Sequence, residues 1–371
     1  MPDDAGHSRW MAEAIGLARK GWYSTAPNPR VGCIIVADGI SIGQGWHEVT
    51  GGPHAEINAI NSAEIPSGCD FYITLEPCSH QGRTAPCVDA VIACQPARVF
   101  IAMLDPNPKV AGRGVQKLRQ SGIEVITDVL ENEARKLNRG FLKRMEHGLP
   151  FVSIKMAASL DGRTALANGA SKWITGEAAR RDVQFLRAQC SAILTTAKTI
   201  VDDDPSLNLR LNQLDLRQKV VVRQPYRVII DSKLCLTGKE KVFSQGGDIF
   251  IYTLSDDKEK IDRLCQPGVE VIRAEAEGVK ICLPWLLRDL ASREMNEIHS
   301  ECGQRMAGAL VKQNLADQIV LYQAPHLMGC QSQGLFDLGE LTDMKQRING
   351  RIEDFRQVGA DLRITLALGG A

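Results

Sequence analysis

Three side chains that bind soft metals and one that can move protons follow one another along the chain as His54, Glu56, Cys78 and Cys87. His54-Ala55-Glu56 comes after Gly51-Gly52-Pro53, and Pro77-Cys78 and Pro86-Cys87 set the two thiols nine residues apart. One imidazole and two thiolates leave the fourth position of a tetrahedral zinc open, which is the ligand set of a catalytic rather than a structural site. An open site can hold a water and lower its pKa toward ~7. Glu56 lies two residues from His54 and cannot share its face along a regular helix, so the pair works only in a first helical turn. Pro53 predicts that turn, because proline is favoured there. A helix N-terminus favours a thiolate through its dipole, which suits Cys78 and Cys87 if each opens a helix. The competing reading is a structural zinc with a fourth ligand such as His80, which leaves Glu56 without a role.

The elements that would position these groups alternate between helix and strand. Ser8 to Lys20 carries Met11, Ala14, Ile15 and Ala18 at the spacing of one helical face, with Ser8 as its cap. Val31–Ala37 and Ser41–Trp46 read as a hairpin around Asp38-Gly39. Helices are expected at 55–63, 87–93 and 115–120, and strands at 71–75, 98–103 and 123–127. A charged helical stretch, 131–147, ends at Gly148-Leu149-Pro150, which puts the domain boundary at 148: a first domain of 1–148 and a second of 149–371. The second part reads as strands at 151–155, 192–195, 227–230, 248–252, 269–272, 297–299, 318–322 and 361–366. Its helices are expected at 177–189, 284–292 and 304–313, with 212–226 and 328–360 irregular. Helices alternating with buried strands argue an α/β fold in both halves.

The 371 residues divide comfortably into two domains. Lys+Arg and Asp+Glu both total 44, split 15 against 16 before the boundary and 29 against 28 after it. Neither half is a basic module, which counts against a nucleic-acid partner. No apolar run approaches the ~18–20 residues of a membrane span. Met1-Pro2-Asp3-Asp4 has no basic or apolar leader character, so a soluble, cytoplasmic protein is expected. Eleven cysteines cannot all pair within the chain. Cys33, Cys69, Cys94, Cys190, Cys235, Cys265, Cys282 and Cys330 sit singly in apolar surroundings and are read as packing residues.

His54-Ala55-Glu56 matches the first half of the zinc-deaminase signature, in which the glutamate is a general acid/base and not a ligand. The second half departs from it, because eight residues, Ser79 to Pro86, separate the cysteines instead of two. Asn28-Pro29-Arg30-Val31-Gly32-Cys33, Pro53-His54-Ala55-Glu56, Leu75-Glu76-Pro77-Cys78-Ser79-His80-Gln81-Gly82-Arg83-Thr84-Ala85-Pro86-Cys87, Asp105-Pro106-Asn107-Pro108 and Ser159-Leu160-Asp161-Gly162-Arg163 together resemble the bifunctional riboflavin-biosynthesis deaminase/reductases. The resemblance covers essentially the whole chain, and the long loop between the cysteines is that family's own form of the motif. It implies a cytidine-deaminase-like three-layer domain followed by a dihydrofolate-reductase-like domain. It also implies one Zn2+ per deaminase domain held by His54, Cys78 and Cys87, with Glu56 as the proton carrier. The implied substrate is a diaminopyrimidinone carrying a ribosylamino 5′-phosphate, contacted by Asn28, His47, His80, Asp105 and Asn107. The implied assembly is a homo-oligomer, with neither nucleic acid nor membrane as partner.

No G-x-G-x-x-G follows any predicted strand, so a Rossmann site is not supported. Ile298 to Ala309 reads as strand, glycine turn and helix, whose amides could hold a phosphate. The resemblance implies NADPH there, met by Ala157, Trp173, Thr199, Asp203, Ser232 and the turn Gly303, Gln304, Arg305, Met306, Ala307, Gly308, Ala309. It places the substrate against Ser171, Arg187, Leu207, Arg210 and Glu301. The two arginines suit phosphate because guanidinium binds it bidentately. Lys155 and Asp161 are possible reductase catalytic residues. Two features depart from the family: Lys198 stands in a turn that commonly has a glycine, and Cys302 takes a place usually held by Gly or Ala. The alternative function is a single-activity zinc deaminase with a degenerate C-terminal binding domain.

Overall fold

The computed structural model describes residues 4–79, 86–107, 111–214 and 222–369. The chain divides into two compact units, Met1–Gly148 with Gln218–Arg223, and Leu149–Arg217 with Gln224–Ala371.

The first unit runs α1 (Asp4–Ala18), β1 (Gly32–Ala37), β2 (Ile40–Trp46), α2 (Ala55–Ile60), β3 (Asp70–Ile73), α3 (Cys87–Ala93), β4 (Arg98–Ile101), α4 (Arg113–Gln120), β5 (Glu124–Ile126), α5 (Glu131–Leu137) and α6 (Arg139–His147). Its five strands lie in the order β2-β1-β3-β4-β5. β1 pairs antiparallel with β2 and β3, and β3, β4 and β5 run parallel. Asp38 and Gly39 both take positive φ, as a tight hairpin turn needs. Alternation along β1 sends Ile34 and Val36 to a core with α1, α5 and α6, and Cys33 and Ile35 to one with α2, α3 and α4. The sheet is therefore the middle of three layers. α2 lies directly on β2: a Cβ on Gly45 would stand 2.3 Å from the Ala59 nitrogen and 2.4 Å from the Ala55 oxygen. The charged stretch 131–147 is two helices, divided at Asn138. That side chain accepts from the Arg30 nitrogen at 2.8 Å and donates to the Arg30 oxygen at 2.9 Å.

The second unit contains β6 (Phe151–Ser159), β7 (Arg163–Ala165), α7 (Glu177–Gln189), β8 (Ala192–Thr196), α8 (Ala197–Asp203), β9 (Tyr226–Ile230), β10 (Ile249–Thr253), α9 (Lys258–Leu264), β11 (Val269–Arg273), β12 (Ala276–Glu277), β13 (Lys280–Ile281), α10 (Leu283–Ser292), β14 (Glu297–Ser300), α11 (Gln304–Lys312), β15 (Gln318–Ala324), β16 (Gln333–Gly334), β17 (Gly350–Val358) and β18 (Asp361–Leu368). Nine of its strands form one sheet, β11-β10-β9-β8-β14-β6-β15-β18-β17. It is parallel from β11 to β15 and antiparallel at β18 and β17. Val152, Ile154, Met156 and Ile298 pack against α10 and α11. The alternate residues Ser153, Lys155, His299 and Glu301 point to the opposite face, where α7 packs through Ala179 and Val183 onto Val320 and Tyr322.

Three sequence expectations are corrected. The stretch 328–360 is not wholly irregular: β17 is the sheet's edge strand, exposed along most of its length, so no alternation of burial marks it. α8 and α9 are short helices that the periodicity does not reveal. Cys235, Cys265 and Cys330 are exposed rather than packed, because each lies in a surface turn or at a helix end.

Candidate active site

His54 caps α2 in an extended conformation, and Glu56 is the second residue of that helix. Pro53 therefore precedes the cap instead of occupying the first turn, but the consequence expected of it holds: His54 and Glu56 sit together at one helix end. Cys87 opens α3, as its spacing predicts. Cys78 does not open a helix. It lies in irregular chain after β3, and its sulfur accepts the Cys87 backbone N–H at 3.3 Å. The ligand atoms of His54, Cys78 and Cys87 all lie within 4.8 Å of one another. His54 Nδ1 is 3.6 Å from Cys78 Sγ and 3.2 Å from Cys87 Sγ.

The electrostatics of this cluster suit a cation. The Cys87 thiol pulls its neighbour Cys78 down to about 4, and His54 adds to that effect. Cys78 and burial push Cys87 well above the ordinary thiol range. Two thiolates this close repel one another, and a divalent ion among the donors would relieve that conflict. An N,S,S donor set of this size fits zinc. Burial pushes the Glu56 carboxyl, only 3% exposed, up to about 7, a value a neighbouring cation would draw down.

His47 and Asn28 stand beside this centre. The His47 ring meets His54 edge-on with centroids 5.3 Å apart. Its Nδ1 is 3.0 Å from the Pro53 carbonyl oxygen and its Nε2 3.0 Å from Asn28 Nδ2. Since a carbonyl only accepts, Nδ1 carries the proton and Nε2 accepts from Asn28, which leaves Asn28 Oδ1 for a ligand. Burial lowers the His47 pKa and keeps this neutral tautomer. Asp105 Oδ1 accepts the Asn107 backbone N–H at 2.8 Å, so these two share one turn. His80 lies outside the described residues.

In the second unit, Ala157, Thr199, Ser232 and Gly303 all lie near or just beyond the carboxyl ends of the adjacent parallel strands β6, β8, β9 and β14, and Gln304, Arg305, Met306, Ala307, Gly308 and Ala309, expected as a turn, are instead the opening of α11. Open α/β sheets bind ligands in the crevice along that edge. Gly303 caps α11 with no atom within 4 Å of a built Cβ, and Cys302 has no positive φ, so the cysteine fits there unstrained. Thr196 caps α8 by accepting the Thr199 N–H, and Lys198 turns outward to Asp202 at 2.8 Å. Ser171 Oγ donates to Asp203 at 3.4 Å. Trp173 is 71% exposed with the Arg180 guanidinium 4.6 Å from its ring, an open platform for a flat ligand. Leu207 is buried at positive φ, a strained backbone of the sort found at ligand sites. Arg210 is exposed, with its backbone N–H held by Gln184 at 2.9 Å.

Arg187 and Glu301 form a bidentate pair, Nε to Oε1 at 2.6 Å and NH2 to Oε2 at 2.9 Å, while Arg187 NH1 donates to the Asn208 oxygen at 2.9 Å. Burial alone would raise the Glu301 carboxyl, but Arg187 outweighs it and holds the group well below the usual carboxylate range. Burial lowers the Lys155 pKa, opposed by Glu301. The Asp161 carboxylate accepts from Ser159 Oγ at 2.5 Å and from the Met328 and Gly329 amides, bonds that close a turn. Sequence reasoning gave no role to His299 or Glu76. The signal for each was a titratable residue inside an otherwise apolar strand or turn.

The family described as cytidine and deoxycytidylate deaminase zinc-binding region matches residues 5–103, and the RibD C-terminal domain matches 150–364. Fold and sites together define a zinc-binding deaminase joined to a reductase. The riboflavin biosynthesis protein RibD of Escherichia coli is 42% identical over 363 residues, 96% of this chain and 98% of that one; the Haemophilus influenzae protein is 40% identical over 96% of each. The solved structure of Acinetobacter baumannii RibD superposes with a TM-score of 0.90 at 39% identity, covering 99% of this chain and 100% of that one. A Thermotoga maritima deaminase/reductase gives 0.87 at 33% identity, covering 99% of each. The chain belongs to the RibD family, the bifunctional deaminase/reductases of riboflavin biosynthesis.

Proposed function

We propose that residues 1–148 hydrolytically deaminate 2,5-diamino-6-ribosylamino-4(3H)-pyrimidinone 5′-phosphate and that residues 149–371 then reduce its ribosyl chain to ribityl. His54 Nδ1, Cys78 Sγ and Cys87 Sγ would hold zinc, whose Lewis acidity makes water a nucleophile at neutral pH. Glu56 takes a proton from the attacking water and gives it to the ring nitrogen, then takes the proton of the hydroxyl so formed on the ring carbon and gives it to the departing amino group, which leaves as ammonia. Asn28 Oδ1, fixed through His47, accepts from the pyrimidine, and Asp105 and Asn107 hold the remainder of the substrate. The observation that carries this reading is the convergence of three soft donors within 4.8 Å at the helix end that also bears Glu56. Glu56→Gln should keep zinc and lose ammonia release; retained turnover would remove Glu56 from the mechanism.

Ala157, Thr199, Ser232 and Gly303, at the carboxyl edge of β6, β8, β9 and β14, would hold NADPH, which would supply the hydride for the opened ribosyl carbon. Lys155 positions the sugar and protonates it, and its depressed pKa eases that transfer. Arg187, Arg210, Ser171 and Leu207 line the substrate side with Glu301. The buried ion pair and the open glycine turn support a working reductase over a degenerate domain. The test supplies deaminated intermediate to the Glu56→Gln chain: NADPH oxidation at the wild-type rate supports two independent activities, and its absence favours the single-activity deaminase.

The partners proposed are a phosphorylated pyrimidine and a second copy of this chain. The exposed edge strand β17, with Ile352 and Phe355 on its surface, supports the latter. A cytoplasmic site of action is supported by eleven free cysteines, and among the described residues no helix is long and apolar enough to cross a membrane.

A further inference from the structure

Glu76 lies two residues before Cys78 and is 3% exposed, yet it is not a member of the metal-binding cluster. Among the described residues it has no cationic partner. Its carboxylate is instead filled by backbone N–H groups. Oε2 accepts from Asp105 at 3.2 Å and Gly112 at 2.9 Å, and Oε1 accepts from Gly114 at 2.8 Å and Val115 at 3.2 Å. A buried carboxylate is tolerable only when its lone pairs are occupied in this way. The same bonds satisfy the start of α4, whose cap residue Gly112 has no side chain to do so. Close approach is built in, because a Cβ on Gly114 would stand 2.4 Å from the Pro77 oxygen and 3.1 Å from Glu76 Oε1.

The bonds continue toward the substrate. Asp105, held through its N–H by Glu76, accepts the Asn107 N–H on its own side chain at 2.8 Å. One residue therefore ties the turn that presents Cys78 to the turn that presents Asp105 and Asn107. We infer that Glu76 is a positioning residue of the deaminase, setting where Asp105 and Asn107 hold the substrate relative to the Cys78 sulfur. This rests on the reading that Asp105 and Asn107 contact substrate.

The test compares Glu76→Gln, Gly114→Ala and Asn107→Ala in the full, zinc-loaded chain. Zinc content, thermal midpoint, KM and kcat for ammonia release, and Kd for the deaminated product are measured for each. In Glu76→Gln an amide NH2 replaces one oxygen and faces two N–H donors. The expected result is a rise of roughly 10- to 100-fold in KM and product Kd, with kcat within about threefold and zinc unchanged. Gly114→Ala should move KM and Kd the same way without altering charge, so it decides the matter if Glu76→Gln fails to fold. A lowered midpoint with wild-type KM in whichever variant folds, beside a raised KM in Asn107→Ala, overturns the inference and spares the site reading. A wild-type KM in Asn107→Ala overturns the site reading, and the inference with it.

Discussion

Replacing His299 by leucine should make the second unit less sensitive to acid. The ring is 2% exposed on β14, its Nε2 has no hydrogen-bond partner among the described residues, and Glu301 Oε1 stands 3.7 Å away. Burial lowers its pKa from 6.5 to about 4; Glu301 opposes that shift, while Arg187, Lys155 and Arg363 reinforce it. The folded chain therefore holds the ring neutral where the unfolded chain protonates it. Stability is unaffected well above pH 6.5, falls as pH drops below that value, and levels out below about 4. The gap corresponds to about 3 kcal/mol when complete, and to roughly 2 kcal/mol at about pH 5. The assay is denaturant unfolding of wild type and His299→Leu at about pH 7.5 and pH 5. Each protein's stability at the lower pH is subtracted from its own at the higher, so the other titrating groups and the metal contribute equally and cancel. Wild type should lose roughly 2 kcal/mol more than the variant between the two. Equal losses would show that His299 titrates normally and that the burial argument is wrong.

Arg187→Ala should cost about 3–5 kcal/mol and abolish NADPH oxidation, since it strands a buried Glu301 carboxylate; a midpoint near wild type would show the pair to be solvated. Gly45→Ala should push α2 off β2, shift His54 and Glu56, and lower zinc content and ammonia release while the reductase reaction survives. Full zinc occupancy would refute that coupling. Chelating the metal should stop ammonia release and leave reduction of supplied intermediate intact. Loss of both would mean that the two units depend on one another.

Much of the deaminase site could be read from sequence because its signals are local. His54 and Glu56 are a helix cap and the residue two after it, and Cys87 is a helix start announced by Pro86, so spacing alone carries the geometry of each fragment. Cys78 marks the limit of that logic: it lies in irregular chain, in a turn shaped by the Cys87 N–H and by Glu76 holding α4. The reductase residues carried no comparable local pattern. Ala157, Thr199, Ser232 and Gly303 fall along one edge of the sheet only because β6, β8, β9 and β14 run parallel side by side, an order that no spacing encodes. β17 went unseen because an exposed edge strand has no buried face to impose alternation.

What the sequence determined by itself was therefore the chemistry available: soft donors with an acid beside them, arginines suited to phosphate, a glycine turn opening a helix. The tertiary structure decided which of those groups meet. Arg187 and Glu301 lie 114 residues apart yet share two hydrogen bonds, and Glu76 reaches amides 29 to 39 residues further on. Such pairings arise from strand order and helix packing, where many weak contacts summed over the whole core fix positions that no short stretch of chain can specify.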